Sequence, residues 1–195
     1  MEPEELYILL KDRISRLCQL NNRDWEIIKD IFVLKTLSKN EFFAKEGEKA
    51  DKFGFVFSGC LRMFNSIESG SDLTKHFLRS GDFFVGAVNY SEKNSVSIQA
   101  LNTCELLVTD FKKLEELSKT DKFISDFKNN LVSEYIQIKQ NRENNYLSLE
   151  SIERYKLFLI DFPNLLNQIP HHFIASYLGI SATQLSRVRY KMIKG

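Results

Sequence analysis

The chain has 195 residues, of which 43% are hydrophobic and 27% charged, and its formal net charge is +1. This composition is typical of a soluble globular protein and excludes an intrinsically disordered chain. The sequence contains no apolar run of about 18 residues, which argues against a membrane span. Acidic residues precede the first basic residue at the N-terminus, the reverse of a secretory signal, so we expect a cytoplasmic protein with no membrane partner.

Positive charge is concentrated at the C-terminal end of the chain. The segment from His171 to Gly195 contains four Lys or Arg residues and no Asp or Glu. The rest of the chain holds 23 basic and 26 acidic residues and therefore has a net charge of −3. Because nucleic-acid-binding surfaces are basic, this asymmetry makes the C-terminal segment the candidate for DNA contact.

The first 32 residues predict two helices separated at Asn21 and Asn22. From about Val33 to Phe111 the hydrophobic period changes to two, and glycines separate the short alternating runs. Several short strands with frequent turns predict an antiparallel β-sandwich or barrel. The three cysteines are too widely spaced for a metal motif or a small disulfide framework, so we expect buried free thiols.

Helical periodicity returns from Leu114. Apolar residues three or four apart form a narrow stripe that we expect to pack on a second copy of the chain about a two-fold axis. The predicted dimer interface consists of Ile124, Phe127, Leu131, Tyr135 and Ile138. Packing of this stripe on the protein's own barrel is the alternative. The polar segment 140–145 predicts a hinge, and a further helix should end before Pro163.

Residues 173–192 predict a pair of short helices joined by a tight turn. Ala175 is small where two crossing helices would approach closely, and Gly179 can adopt the positive φ that the turn needs. Ser181 and Gln184 have the spacing of a capping box at the start of the second helix. The inward-facing apolar positions are Ile174, Leu178, Ile180, Leu185 and Val188.

The second helix of this pair would present side chains that can hydrogen-bond base edges and phosphates. The candidate DNA-binding residues are Ser181, Thr183, Gln184, Ser186, Arg187, Arg189, Tyr190 and Lys191. A packed helical hairpin with a solvated basic face is the alternative. Spacing, cap and charge agree, and together they favour a helix-turn-helix that reads DNA.

Three segments resemble the CRP/FNR family of transcription regulators. IASYLGISATQLSRVR resembles the family's helix-turn-helix, and FGFVFSGCLRMF resembles a strand pair of its cyclic-nucleotide-binding-like domain. Residues 81–110 resemble that domain's phosphate-binding cassette and the strands after it. The resemblance spans about residues 20–192 and implies homodimers that bind two-fold symmetric operators in double-stranded DNA and act on RNA polymerase.

The resemblance also implies an α+β fold with three parts. Residues 1–120 would form an N-terminal antiparallel β jelly-roll barrel with flanking helices, which serves as the sensor domain. Residues 121–145 would form a long dimerisation helix and hinge. Residues 146–195 would form the C-terminal helix-turn-helix domain.

The effector pocket implied by this resemblance is degenerate. A cyclic nucleotide needs an Arg for its phosphate and a carboxylate for its ribose, and family members that bind cyclic AMP carry a Glu after a Gly and then an Arg–Ser pair. Here the pocket positions are Phe83, Val85, Gly86, Ala87, Asn94 and Ser95. Ala87 replaces the Glu and Asn94 replaces the Arg. We therefore expect no tight binding of cyclic AMP, and an effector that is unknown or absent.

A regulator that responds to a small anion or a cyclic nucleotide stays open as an alternative. Arg62, His76 and Arg79 would supply positive charge for such a pocket, although solvated surface charge is the simpler expectation for them.

The sequence lacks the residues that a bound cofactor or a metal enzyme would need. An iron–sulfur cluster needs several closely spaced cysteines, but the N-terminal region holds only Cys18. A cupin-like metal enzyme needs two or three histidines in the barrel, where His76 stands alone. We therefore expect no cofactor and no enzyme, and a module that binds another protein is the remaining alternative.

Overall fold

A computed structural model describes residues 3–67, 70–163 and 165–194 of the chain. Within these residues, helices occupy both ends and strands the middle, as the hydrophobic periods predict. The helices are α1 (Pro3–Ser15), α2 (Asn22–Ile31), α3 (Phe111–Thr120), α4 (Lys122–Ser148), α5 (Ser151–Asp161), α6 (His171–Leu178) and α7 (Ala182–Lys194). The strands are β1 (Val33–Leu37), β2 (Phe42–Ala44), β3 (Lys52–Ser58), β4 (Leu61–Ser66), β5 (Asp72–Leu78), β6 (Phe83–Val85), β7 (Ser97–Ala100) and β8 (Cys104–Asp110).

The strands form two four-stranded sheets, with orders β1-β8-β3-β6 and β2-β7-β4-β5. The pairings β1–β8, β3–β8, β3–β6, β2–β7 and β4–β7 are all antiparallel. These pairings confirm the antiparallel architecture expected from the period of two.

Alternating side chains of β3 divide between two apolar clusters. Phe53 and Phe55 belong to a cluster that packs α1 to α4 against the first sheet, which we call the helical-layer cluster. Val56 belongs to a second cluster, which contains buried residues from both sheets. Gly54 is needed in this strand because a Cβ atom there would overlap the ring of Phe84. The strand therefore joins the helical layer to the interior of the sheets.

The cysteines are free thiols, as their spacing predicts. Cys60 and Cys104 are buried, whereas Cys18 is half-buried. Burial raises the pKa of the Cys60 thiol to about 12, so this thiol stays protonated at neutral pH.

Helix α4 continues without interruption through residues 140–145, so the prediction of a hinge there is wrong. The segment contains neither Gly nor Pro to break a helix, and its Gln, Arg and Glu residues are good helix formers, although its three Asn residues are weaker ones. A polar run in a sequence marks solvent exposure, and in this chain it does not mark a break.

The structure also corrects part of the predicted dimer interface. Ile124 and Phe127 are fully buried in the helical-layer cluster, where Phe127 lies edge-on to Phe83 at 5.2 Å between ring centroids. Neither side chain is available to a second copy. Leu131 packs partly against the same cluster, whereas Tyr135 and Ile138 are exposed.

The chain divides into two compact units. The first contains Met1–Asn65 and Phe77–Glu134, and the second contains Ser66–His76 and Tyr135–Gly195. This division differs from the predicted boundaries because it falls inside α4 and assigns part of β5 to the C-terminal unit.

Side-chain hydrogen bonds within the second unit explain why it includes the β5 segment. Ser176 Oγ in α6 accepts from the Thr74 backbone N–H at 2.9 Å and donates to the Asp72 carbonyl at 2.9 Å. Arg142 Nη2 donates to the carbonyls of Thr74 at 3.3 Å and Tyr177 at 3.0 Å. The Arg142 guanidinium lies 4.3 Å from the centroid of the Tyr177 ring, and burial lowers its pKa. One strand segment and one helix are thus held as a single body.

Candidate nucleic-acid interface and effector pocket

Helices α6 and α7, which we call the terminal helix pair, are joined by a left-handed turn at Gly179. Gly179 has φ 64° and ψ 38°, a conformation that glycine adopts without a steric penalty. Its N–H donates to the Ser176 carbonyl at 3.2 Å, and the Ile180 N–H donates to the Ala175 carbonyl at 3.0 Å. These bonds close the end of α6 in the manner of a Schellman cap.

A reciprocal capping box starts α7. The Gln184 backbone N–H donates to Ser181 Oγ at 3.1 Å, and the Ser181 N–H donates to Gln184 Oε1 at 2.9 Å. These two bonds satisfy amides that a helix start leaves free, and they confirm the predicted cap.

Apolar packing fixes which face of α7 points outward. Ile174, Ala175 and Leu178 of α6 are buried, as are Leu185 and Val188 of α7. The inward-facing positions predicted from the sequence are therefore the core of this helix pair, except that Ile180 is only half-buried.

Most of the candidate DNA-binding side chains lie on the exposed face of α7 or at its start. The exposed ones are Ser181, Thr183, Gln184, Ser186, Arg187, Tyr190 and Lys191. Ser181 and Gln184 each use one side-chain oxygen in the cap. Arg187 and Lys191 are four residues apart, so they lie on one side of the helix. The arrangement is a continuous polar and basic surface beside a helix N-terminus, which suits an anionic backbone.

Arg189 departs from this pattern and is half-buried. Its Nη1 atom lies 3.0 Å from Nδ1 of His171 in α6, and its side chain also hydrogen-bonds Tyr155 in α5. Burial raises the pKa of Tyr155, and the neighbouring Arg189 charge opposes that rise. Arg189 therefore contributes to packing among three helices. Sequence spacing gave no signal for this role because His171 is 18 positions away.

In the predicted effector pocket, aromatic side chains surround Phe83. Its ring centroid lies 4.8 Å from that of Phe55, 5.7 Å from that of Phe53 and 5.2 Å from that of Phe127. Val85 is half-buried in the same strand, and both side chains contact the helical-layer cluster. Aromatic packing takes up the space next to the cassette.

The cassette positions bond to the protein's own backbone. Asn94, at the expected Arg position, is buried and donates through Nδ2 to the carbonyls of Lys45 at 3.2 Å and Lys49 at 3.3 Å. A Cβ atom at Gly86 would overlap Asn94 Oδ1, so the side chain lies directly on this glycine. Ser95 donates to the Gly86 carbonyl through its N–H at 2.7 Å and its hydroxyl at 3.2 Å.

Ala87, at the expected Glu position, is buried in the apolar helical-layer cluster. A carboxylate is missing where the ribose of a cyclic nucleotide would need one. The cassette therefore offers this ligand neither an Arg fork nor a ribose acceptor.

We expect a calorimetric titration with cyclic AMP to give no saturable heat up to about 1 mM, because a missing charged partner costs several kcal/mol of binding free energy. Adenosine, which lacks the phosphate, is the matched control. A dissociation constant in the low micromolar range for cyclic AMP alone would contradict this reading of Ala87 and Asn94.

Arg62 corrects one expectation about surface charge. Its side chain is 1% exposed, and the guanidinium carbon lies 3.9 Å from the centroid of the Phe64 ring. Arg62 is therefore a buried cation stacked on an aromatic ring and not a solvated surface charge. Arg79 is exposed, and His76 lies edge-on to Phe162 at 6.1 Å.

In the part of the chain that the structure describes, no group of three or more His, Cys, Asp or Glu residues is arranged to hold a metal ion. None of the helices in those residues is both long enough and apolar enough to cross a membrane.

Part of the chain is similar to a known domain family and to a curated regulator. The profile of the cyclic nucleotide-binding domain family matches residues 34–121. The chain is 28% identical over 109 residues to the transcriptional activator Anr of Pseudomonas protegens, an alignment that covers 54% of this chain and 45% of Anr. The chain thus spans less than half the length of this curated relative.

Two solved structures share the fold over most of both chains. FixK2 from Bradyrhizobium japonicum superposes with a TM-score of 0.75 and 17% identity, covering 84% of this chain and 85% of FixK2. A proposed CRP/FNR-family transcriptional regulator from Eubacterium rectale gives a TM-score of 0.70 and 18% identity, covering 90% of this chain and 85% of that protein. These likenesses show that the chain shares the fold of both proteins, and the domain match agrees with the cyclic-nucleotide-binding-like segments noted in the sequence.

Proposed function

We propose that this member of the CRP/FNR family, whose residues 34–121 belong to the cyclic nucleotide-binding domain family, is a homodimeric, sequence-specific DNA-binding transcription regulator. The two antiparallel sheets are its jelly-roll barrel, and the terminal helix pair is its helix-turn-helix. The observation that carries the proposal is the exposed, acid-free, polar and basic face of α7. RNA polymerase is the expected partner once the operator is bound.

Helix α7 is the recognition helix in this proposal. In a helix-turn-helix the N-terminal residues of the second helix contact base edges in the major groove. Thr183, Gln184 and Arg187 occupy that position, and Arg can bind the O6 and N7 atoms of guanine through two hydrogen bonds. Lys191, one turn after Arg187, is placed for phosphate contact. We assign Arg189 a packing role and no longer include it among the proposed DNA contacts.

Dimerisation through α4 is proposed on a revised set of residues. Val132, Tyr135 and Ile136 are 46%, 52% and 47% exposed, which leaves large apolar side chains in water. At about 100° per residue, Val132 lies about 140° around the helix from Phe127, so it faces away from the protein's own core. A second copy of α4 is the occupant that suits this face, because helix-turn-helix dimers bind two half-sites. Ile138 is also exposed, but it lies about 20° around the helix from Phe127 and is therefore left out of the revised interface.

We propose the same three functional regions that were predicted from the sequence. Residues 1–120 are the sensor region, 121–145 the dimerisation region and 146–195 the DNA-binding region. The packing of Asn94 and Phe83 supports a sensor that does not use cyclic AMP.

Replacing Arg187 with alanine should weaken binding to the specific operator by about 10- to 100-fold, the loss expected for one bidentate base contact. Fluorescence anisotropy with operator DNA, measured at several salt concentrations, gives the affinity and its salt dependence. Lys156→Ala removes one positive charge from the exposed surface of α5 and is the matched control. Unchanged affinity and an unchanged footprint in Arg187→Ala would refute the assignment of α7.

A further inference from the structure

A cavity of about 440 Å³ lies on the surface of the first unit, beside the cassette segment. Its lining residues are Lys49, Tyr90, Ser91, Glu92, Lys93 and Lys112. This volume falls within the range of about 300–1,000 Å³ that is usual for small-molecule sites. The cavity is open to water, so a ligand can reach it without any opening of the fold.

Three lysines from three separate segments converge on this cavity. Lys49 lies between β2 and β3, Lys93 lies before β7, and Lys112 lies in the first turn of α3. Lys49 and Lys93 stand directly opposite each other in an isolated antiparallel bridge. Like charges at directly opposite positions repel each other, so this pairing costs free energy unless negative charge is supplied.

The protein supplies little of that negative charge. Within the described residues, neither Lys49 nor Lys93 takes part in a salt bridge, and Lys112 has only a long contact of 3.7 Å with the exposed Glu116. Glu92 also lines the cavity, and its Oε1 accepts a hydrogen bond from Asn89 Nδ2 at 2.8 Å. Three lysines therefore line one space together with a single acidic residue, Glu92.

The neutral lining adds hydrogen-bond donors. Tyr90 and Ser91 both line the cavity, and no hydrogen bond of either hydroxyl occurs in the described part of the chain. Ammonium and hydroxyl donors around one open space suit an oxyanion with several adjacent negative oxygens.

The cavity is lined by cassette residues other than the six predicted pocket positions. Asn94 does not line the cavity, and its polar atoms contact the carbonyls of Lys45 and Lys49 and Gly86. The lysine side chains, in contrast, lie on the surface of the same loops. The packing of Asn94 in the cassette therefore does not block the cavity lined by the lysines.

We infer that the cavity bounded by Lys49, Lys93 and Lys112 is a binding site for a small polyvalent oxyanion, of the phosphate-ester or polyphosphate class. A bound anion would neutralise the opposed lysines and link the β2–β3 loop, the cassette segment and the start of α3. The inference does not depend on DNA binding, because the site is formed by the first unit alone.

Isothermal titration of the full-length protein with inorganic triphosphate tests this site. We expect saturable binding in 50 mM salt that weakens as salt is raised, and at least a tenfold loss of affinity in the Lys49→Ala/Lys93→Ala variant. The matched control is Lys39→Ala/Lys119→Ala, which removes two exposed lysines outside the cavity and should bind as the wild type does. A parallel titration with adenosine triphosphate separates the two sources of this chemistry, since equal affinities indicate that only the phosphate chain is bound.

Absence of binding to the wild type would overturn the inference, as would an equal loss in both double variants. Circular dichroism melting of the variants checks that their fold is intact. Since the titration contains no DNA, its failure would leave the proposed regulator function standing, and failure of DNA binding would leave the anion site standing.

Discussion

The Val132→Asp/Ile136→Asp variant is expected to be a monomer in solution and to bind operator DNA at least about 100-fold more weakly than the wild type. Two aspartates on this face would need to be desolvated against their copies, and charges are depleted from the cores of stable interfaces. Loss of the dimer removes the linked second half-site, whose contribution to affinity is about 10²- to 10⁴-fold. Analytical ultracentrifugation measures the mass and anisotropy measures the DNA affinity.

Gln137→Asp/Asn141→Asp is the matched control for this variant. It has the same four-residue spacing on α4 and also replaces exposed side chains, but on the side of the helix opposite Val132. This control should remain dimeric and bind DNA normally. If the Val132→Asp/Ile136→Asp variant sediments as a dimer, the face of α4 proposed here is not the interface.

Replacing Gly179 with alanine should lower the free energy of unfolding by about 2–5 kcal/mol and abolish DNA binding with it. One part of the loss, about 1–2 kcal/mol, is the cost of a left-handed backbone at a residue with a Cβ atom. A further part, about 1–3 kcal/mol, comes from overpacking, because the new Cβ atom would overlap the Tyr146 hydroxyl. Urea unfolding followed by circular dichroism measures the change.

Gly81→Ala separates these two causes. Gly81 has φ 94°, but no atom lies within 4 Å of the position of a new Cβ atom, so only the backbone cost applies. We expect Gly81→Ala to be less destabilising than Gly179→Ala and to retain DNA binding. Equal losses in the two variants would show that the Tyr146 contact has no part in shaping the turn.

The terminal helix pair was predictable because its determinants are local. Ser181 and Gln184 are three residues apart, and Ala175 and Gly179 are four apart, so short-range geometry alone sets the cap and the turn. The alternation of Phe53 and Phe55 likewise identified a strand. In each of these places, the residues that form the feature are neighbours in the sequence.

The predicted dimer interface on α4 shows that a local sequence pattern does not reveal which surface a helix face packs against. Helical spacing correctly grouped Ile124 and Phe127 on one face, but it did not reveal which surface covers that face. The partner, Phe83, comes from a strand more than 40 positions earlier, so only tertiary structure shows that this part of α4 is covered by the protein itself.

Polar contacts between residues far apart in the sequence could not be predicted either. Asn94 bonds to the carbonyl of Lys45, 49 positions away, and Arg189 contacts His171, 18 positions away. The sequence identified Asn94 as a lost Arg, and the structure adds that this side chain bonds to the protein's own backbone. Arg62 was expected in water and is buried on Phe64, since strand alternation does not reveal what covers the outer face of a sheet.

A footprint on genomic fragments selected by the purified protein shows whether a dimer of this chain reads DNA through α7. We predict two protected half-sites related by two-fold symmetry, with centres about 10 base pairs or a multiple of this apart, and loss of the protection in Arg187→Ala. Retention of no fragment at low salt, or a footprint unaffected by Arg187→Ala, would contradict the account.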